Sequence, residues 1–139
     1  MPLKAYKNMN AYKLFVLDVG LLGAMSELPA ESILEGNDIF VEFKGALTEQ
    51  YVLQQLISDT PYTPYYYGNE KATFEQNFLI QKAKSIVPIE VKAEQNIRSH
   101  SLKTYCEKFQ PEEAVRFSTS KYKEQEWMVN IPLYAVCNL

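Results

Sequence analysis

Glu90 and Lys92 stand two residues apart in "IVPIEVK", a run that is otherwise apolar or proline. In an extended strand, residues two apart share a face. A carboxylate and an ammonium therefore emerge side by side. Asn77 lies in the preceding run, "EQNFLIQ". With a turn centred near Ala83–Lys84, Asn77 falls opposite Glu90 on the same face. Glu49 sits in a long helical pattern upstream, at the edge of its apolar stripe, where it can turn inward. Glu49, Asn77, Glu90 and Lys92 together form the layout that a metal-dependent phosphodiesterase needs. Glu49, Asn77 and Glu90 would supply oxygens that hold Mg²⁺ while leaving room for water and phosphate. The metal would polarise the phosphoryl group and acidify a bound water. Lys92 would orient that water or balance charge developing in the transition state. The plainer alternative is a glutamate–lysine pair at a strand end, with no ligand at all.

These residues need a scaffold, and the pattern supplies one. "YKLFVLDVG", Tyr12 to Gly20, reads as a buried strand running into a turn. "LLGAMSEL" and "PAESILEG" read as two short helices, the second with Pro29 near its start and Gly36 as its stop. Asn37 and Asp38 can cap a helix from Ile39 to about Ser58. Phe43, Ala46, Leu53, Leu56 and Ile57 share one of its faces. Pro61 and Pro64 end that pattern. "YYYG" (65–68), Phe74–Gln81 and Ser85–Lys92 then read as three strands. A helix from about Ser99 to Phe109 follows, with "EEAVRFS" as a fourth strand and "IPLYAV" as a fifth. The three-stranded meander followed by a helix allows a parallel crossover to the fourth strand. The expected class is α/β, with a mixed sheet flanked by helices.

A chain of 139 residues fits one domain, 1–139, with a real core. The net charge of −3 argues against a general polyanion-binding surface, though not against a local basic patch. Cys106 and Cys137 form no CxxC pair, so free thiols in a reduced, cytoplasmic setting are expected. "LFVLDVGLLGAM" is too short and too interrupted to span a bilayer. His100 is the single histidine and has no nearby nucleophile, which disfavours Ser-His or Cys-His chemistry. No Walker motif is present, so this chain has no ATP site of that kind. Tyr65, Tyr66 and Tyr67 can stack on bases but more often pack. Arg98, His100 and Lys103 can touch phosphate or simply face water.

"EQNFLIQ" followed by "IEVKA" resembles the E-x-K half of the PD-(D/E)XK restriction-endonuclease-like fold, whose core is helix, three-stranded meander, helix, strand. The order "KLFVLDVGLL", "GALTEQYVLQQL", "YYYG", "FEQNFLIQ", "PIEVKAEQNIRSHSL", "IPLY" more closely resembles the C-terminal nuclease-like domain of unknown function that follows the P-loop domain in prokaryotic AAA-type ATPases. That resemblance covers nearly the whole chain. It implies a piece of a longer ATPase, with the N-terminal P-loop domain as partner, DNA or RNA as possible ligand, and no membrane. In that family the second strand carries an aspartate as metal ligand, where this chain has Asn77. Glu90, Lys92 and Glu49 match. An amide is a weaker Mg²⁺ ligand than a carboxylate, so the resemblance implies an impaired site and an interaction or regulatory role. A Mg²⁺-dependent nuclease acting on DNA or RNA is the alternative.

Overall fold

The computed structural model describes residues 2–29, 31, 38–68, 74–93 and 99–139, with the backbone alone at 38–42. In chain order come α1 (Val19–Met25), α2 (Asp38–Asp59), β1 (Tyr65–Gly68), β2 (Glu75–Lys82), β3 (Ser85–Lys92), α3 (His100–Phe109), β4 (Val115–Ser118), β5 (Lys123–Glu124) and β6 (Val129–Pro132). Short 3-10 segments lie at Leu3–Tyr6 and Leu133–Asn138. The strands form one mixed sheet in the order β1-β2-β3-β4-β6-β5. The first three pair antiparallel, β4 joins β3 in parallel and β6 joins β4 in parallel, while β5 returns antiparallel to β6. This is a mixed α/β architecture, as the alternation of apolar residues and the intervening helix lead one to expect.

Period-two alternation decides what each face of the sheet carries. Phe78, Ile80, Val87, Ile89, Val91, Val115 and Phe117 fall on one face and close over Val52 and Leu56 of α2 as the main core. Burying each such side chain contributes about 1.5–3 kcal/mol. Ala114 falls on the other face, where it packs with Leu102 of α3 and Met128. The residues between the apolar positions, Glu90 and Arg116 among them, must therefore point toward the α3 side. The hairpin between β2 and β3 turns at Ala83–Lys84, with Ala83 in the left-handed region at φ 55. α3 ends at Gln110, also left-handed, whose N–H donates to the Cys106 carbonyl. Pro111 follows and prevents continuation.

Three elements differ from the sequence reading. Tyr12–Gly20 is not a buried strand. It runs extended along α2 without joining the sheet, with Tyr12, Leu14 and Leu17 exposed, until Asp18 caps α1 by accepting the Leu21 N–H at 2.8 Å. Its backbone partners are glutamines. Gln50 accepts the Val16 N–H at 3.1 Å and donates to the Val16 carbonyl at 2.9 Å, and Gln54 accepts the Val19 N–H at 3.0 Å. The last strand lies earlier than "IPLYAV", at Val129–Pro132, because Pro132 lacks an N–H to continue the ladder. On α2 the buried stripe centres on Val52 and Leu56, while Phe43 and Ile57 are exposed. The helix read at "PAESILEG" lies largely outside the described residues, as does Arg98.

Candidate functional site

The ladder between β2 and β3 runs in register from Lys82↔Ser85 to Phe78↔Ile89. One rung further, Asn77 stands opposite Glu90, on the face that Lys92 shares. Here side chains take over from backbone partners. The Asn77 amide oxygen accepts the Val91 N–H at 3.0 Å, and Gln76 donates its amide N–H to the Ile89 carbonyl at 2.6 Å. Asn77 thus replaces a ladder hydrogen bond at the point where the strands part.

Glu90 is buried, its side chain only 3% exposed, and it pairs with Lys92 at 3.0 Å. Across the next strand its register partner is Arg116, and the register partner of Arg116 is Asn130. A polar row, Asn77–Glu90–Arg116–Asn130, therefore crosses four strands on the α3 face. Arg116 donates from Nε to Asn130 Oδ1 at 2.8 Å and from one terminal nitrogen to Ser99 Oγ at 3.2 Å. Ser118 also donates to Asn130 Oδ1, at 2.7 Å, and the Asn130 amide donates to the carbonyls of Ser120 and Lys121. Burial lowers the Arg116 pKa, and the negative charge of Glu90 works against that shift. Burial also pushes the Cys106 thiol up to about 11, with Glu107 and Glu90 adding to the effect. Both shifts fit a Glu90 carboxylate directed at α3 and β4.

Glu49 belongs to a different cluster. The Lys13 ammonium lies 2.8 Å from the Glu49 carboxylate, also pairs with Glu75, and sits 5.7 Å over the Tyr66 ring. Burial works against the charge on Lys13, but bonds to and charges on Glu49 and Glu75 outweigh it and leave its pKa raised. No hydrogen bond or ion pair joins Glu49 to Asn77, Glu90 or Lys92 among the described residues. Of the other sequence candidates, Tyr67 packs edge-on against Tyr105 and Phe109 and accepts a hydrogen bond from Lys108. Lys103 faces Glu107 on the exposed side of α3, and His100 is exposed.

Sequence reasoning passed over Lys13, Arg116 and Asn130. Arg116 carried the same signal as Glu90, a charge alternating with Val115 and Phe117 on an apolar strand. Lys13 carried none, since its role follows from where the N-terminal segment lies on α2.

Mg²⁺ does not fit the donors as they stand. Asn77 Oδ1 holds a backbone N–H, Glu49 holds Lys13, and Glu90 faces two cations. Among the described residues no three His, Cys, Asp or Glu side chains converge as a metal site. One feature favours a ligand: Glu90 Oε2 is buried and has no hydrogen-bond partner among the described residues.

A family model described as "Domain of unknown function (DUF4143)" matches residues 44–135, about two thirds of the chain, so the protein belongs to that family. No curated protein and no solved structure matches it. Among the described residues no helix is long and apolar enough to cross a membrane.

Proposed function

We propose that this chain is a nuclease-fold module whose metal centre has been converted into an internal charge network, and that it acts as an interaction domain attached to an AAA-type ATPase. One observation carries the reading: each side chain of the expected site already has a partner within the protein, with only Glu90 Oε2 left over. Lys13 neutralises Glu49, Asn77 completes the β2–β3 ladder, and Lys92 and Arg116 surround Glu90. A dication entering such a site would meet two cations and one carboxylate, an unfavourable field. The restriction-endonuclease-like assignment rests on the helix, meander, helix, strand order together with the E-x-K position. The interaction role rests on the exposed apolar side chains of the N-terminal segment and α1, namely Tyr12, Leu14, Leu17, Leu21 and Met25. Large apolar side chains exposed in succession along one segment fit an interaction surface.

A second reading, a Mg²⁺-dependent DNA or RNA phosphodiesterase, is favoured by the unpartnered Glu90 Oε2. A plasmid-nicking and RNA-cleavage assay with Mg²⁺ or Mn²⁺ separates the two. No cleavage above an EDTA control is expected. Metal-dependent cleavage that disappears in Glu90→Gln would replace the interaction reading with the enzymatic one.

A further inference from the structure

A groove of about 900 Å³ runs between α1, α2 and the C-terminal 3-10 segment. Leu28, Leu47, Tyr51, Leu133 and Tyr134 give it an apolar wall. α1 turns Gly20, Gly23 and Ala24 into it, so another backbone can approach closely. A side chain built at Gly23 would meet nothing within 4 Å, so the groove is open there. Lys44 is the sole charged residue in the lining. It is half-buried, and among the described residues its ammonium makes no ion pair and no hydrogen bond. Ser118, the most buried hydroxyl of the lining, is already committed to Asn130 and to the Ser120 N–H.

We propose that this groove seats an amphipathic helix of a partner protein, with an acidic side chain of that helix meeting Lys44. The proposal rests on the interaction reading above and names the chemistry of the partner. Three features select the occupant. The walls are α1, α2, the C-terminal 3-10 segment and the ends of β4 and β6, two interior strands of the sheet, so they offer no strand edge. An extended peptide would leave its own N–H and C=O groups unpaired there, whereas a helix arrives with them satisfied. The apolar lining reaches open solvent at Tyr134, 82% exposed, and α1 also exposes Leu21 and Met25, so the occupant is larger than a small amphiphile. The lone uncompensated cation calls for one complementary charge.

The test uses the full chain and two fluorescent helical peptides of about 18 residues, roughly 27 Å long. They share a leucine-rich face and differ in a central Glu or Lys beside that face. By fluorescence anisotropy the Glu peptide is expected to bind roughly tenfold more tightly than the Lys peptide, and Lys44→Glu to reverse the order. Gly23→Trp, which fills the groove, should weaken both while leaving the circular-dichroism melt intact. The proposal is overturned if neither peptide binds, if the two bind equally, or if Lys44→Glu leaves the order unchanged. Binding of laurate without either peptide also overturns it, in favour of a small amphiphile. A metal response in the cleavage assay would remove the reading of the Glu90 site without touching this outcome.

Discussion

Replacing Glu90 by Gln keeps the shape of the side chain and removes its charge. If the carboxylate serves to neutralise Lys92 and Arg116, the substitution strands two cations. Removing one partner of a fully buried ion pair costs about 3–5 kcal/mol. Here the cost is lower, because the Lys92 side chain is 35% exposed and can turn to water. Arg116 cannot do so; the residue is 2% exposed, although Asn130 and Ser99 still accept from it. The expected loss is therefore about 2–3 kcal/mol, which in a chain of this size lowers Tm by roughly 5–10 °C. Urea denaturation followed by circular dichroism measures it as a fall in midpoint at constant slope. Lys92→Met should cost less than about 1 kcal/mol, since its head is partly solvated. Glu90→Gln combined with Arg116→Met should recover part of the loss, because the buried cation is then gone and only Lys92, whose side chain is 35% exposed, lacks its carboxylate. A carboxylate kept for catalysis behaves differently: such sites are strained, and neutralising them tends to stabilise the fold. A Glu90→Gln variant as stable as wild type, or more stable, would refute the reasoning.

Further outcomes follow from the same geometry. Asn77→Ala loses the acceptor of the Val91 N–H and should cost about 1–2 kcal/mol, whereas Asn77→Asp keeps the acceptor but sets an anion opposite Glu90, so by urea denaturation it should cost about 1 kcal/mol through like-charge repulsion. Gln50→Leu leaves the Val16 peptide unpaired; amide exchange at Val16 should accelerate, and protease should cut between Asn10 and Asp18 sooner than in wild type. The folded Lys13 pKa is raised above 10.5, so its contribution is complete below about pH 10.5 and is lost as pH climbs through the folded value. Lys13→Met should accordingly lose stability at pH 8 and show a shallower decline above pH 10.5 than wild type. Cys106, with its thiol near 11, should carry about a hundredfold less thiolate at pH 8 than a thiol at 9.0, so iodoacetamide should label exposed Cys137 first and Cys106 only on unfolding.

Much of the fold was legible because its signals are local. Alternation placed β2 and β3 within a residue of their observed limits, proline and glycine punctuation marked the ends of α2, and the helix between β3 and β4 implied their parallel pairing. What escaped depends on tertiary placement. β5 has two residues and no period to detect. The stretch Tyr12–Gly20 has strand-like composition but takes its backbone bonds from Gln50 and Gln54, so nothing local separates it from a true strand. At the candidate site, strand alternation put Asn77, Glu90 and Lys92 on one face. It did not reveal that Glu49 turns to Lys13, a residue 36 positions away, nor that Arg116 completes the row from a strand paired only after the crossover.

Calorimetric titration of Mn²⁺ into the wild-type protein tests most directly whether the charges of the site are satisfied internally. With Glu49 held by Lys13, Asn77 by Val91, and Glu90 between Lys92 and Arg116, the expected isotherm is flat at millimolar metal. A saturable isotherm at micromolar Mn²⁺, abolished by Glu90→Gln, would show that Glu90 serves as a metal ligand and contradict the account.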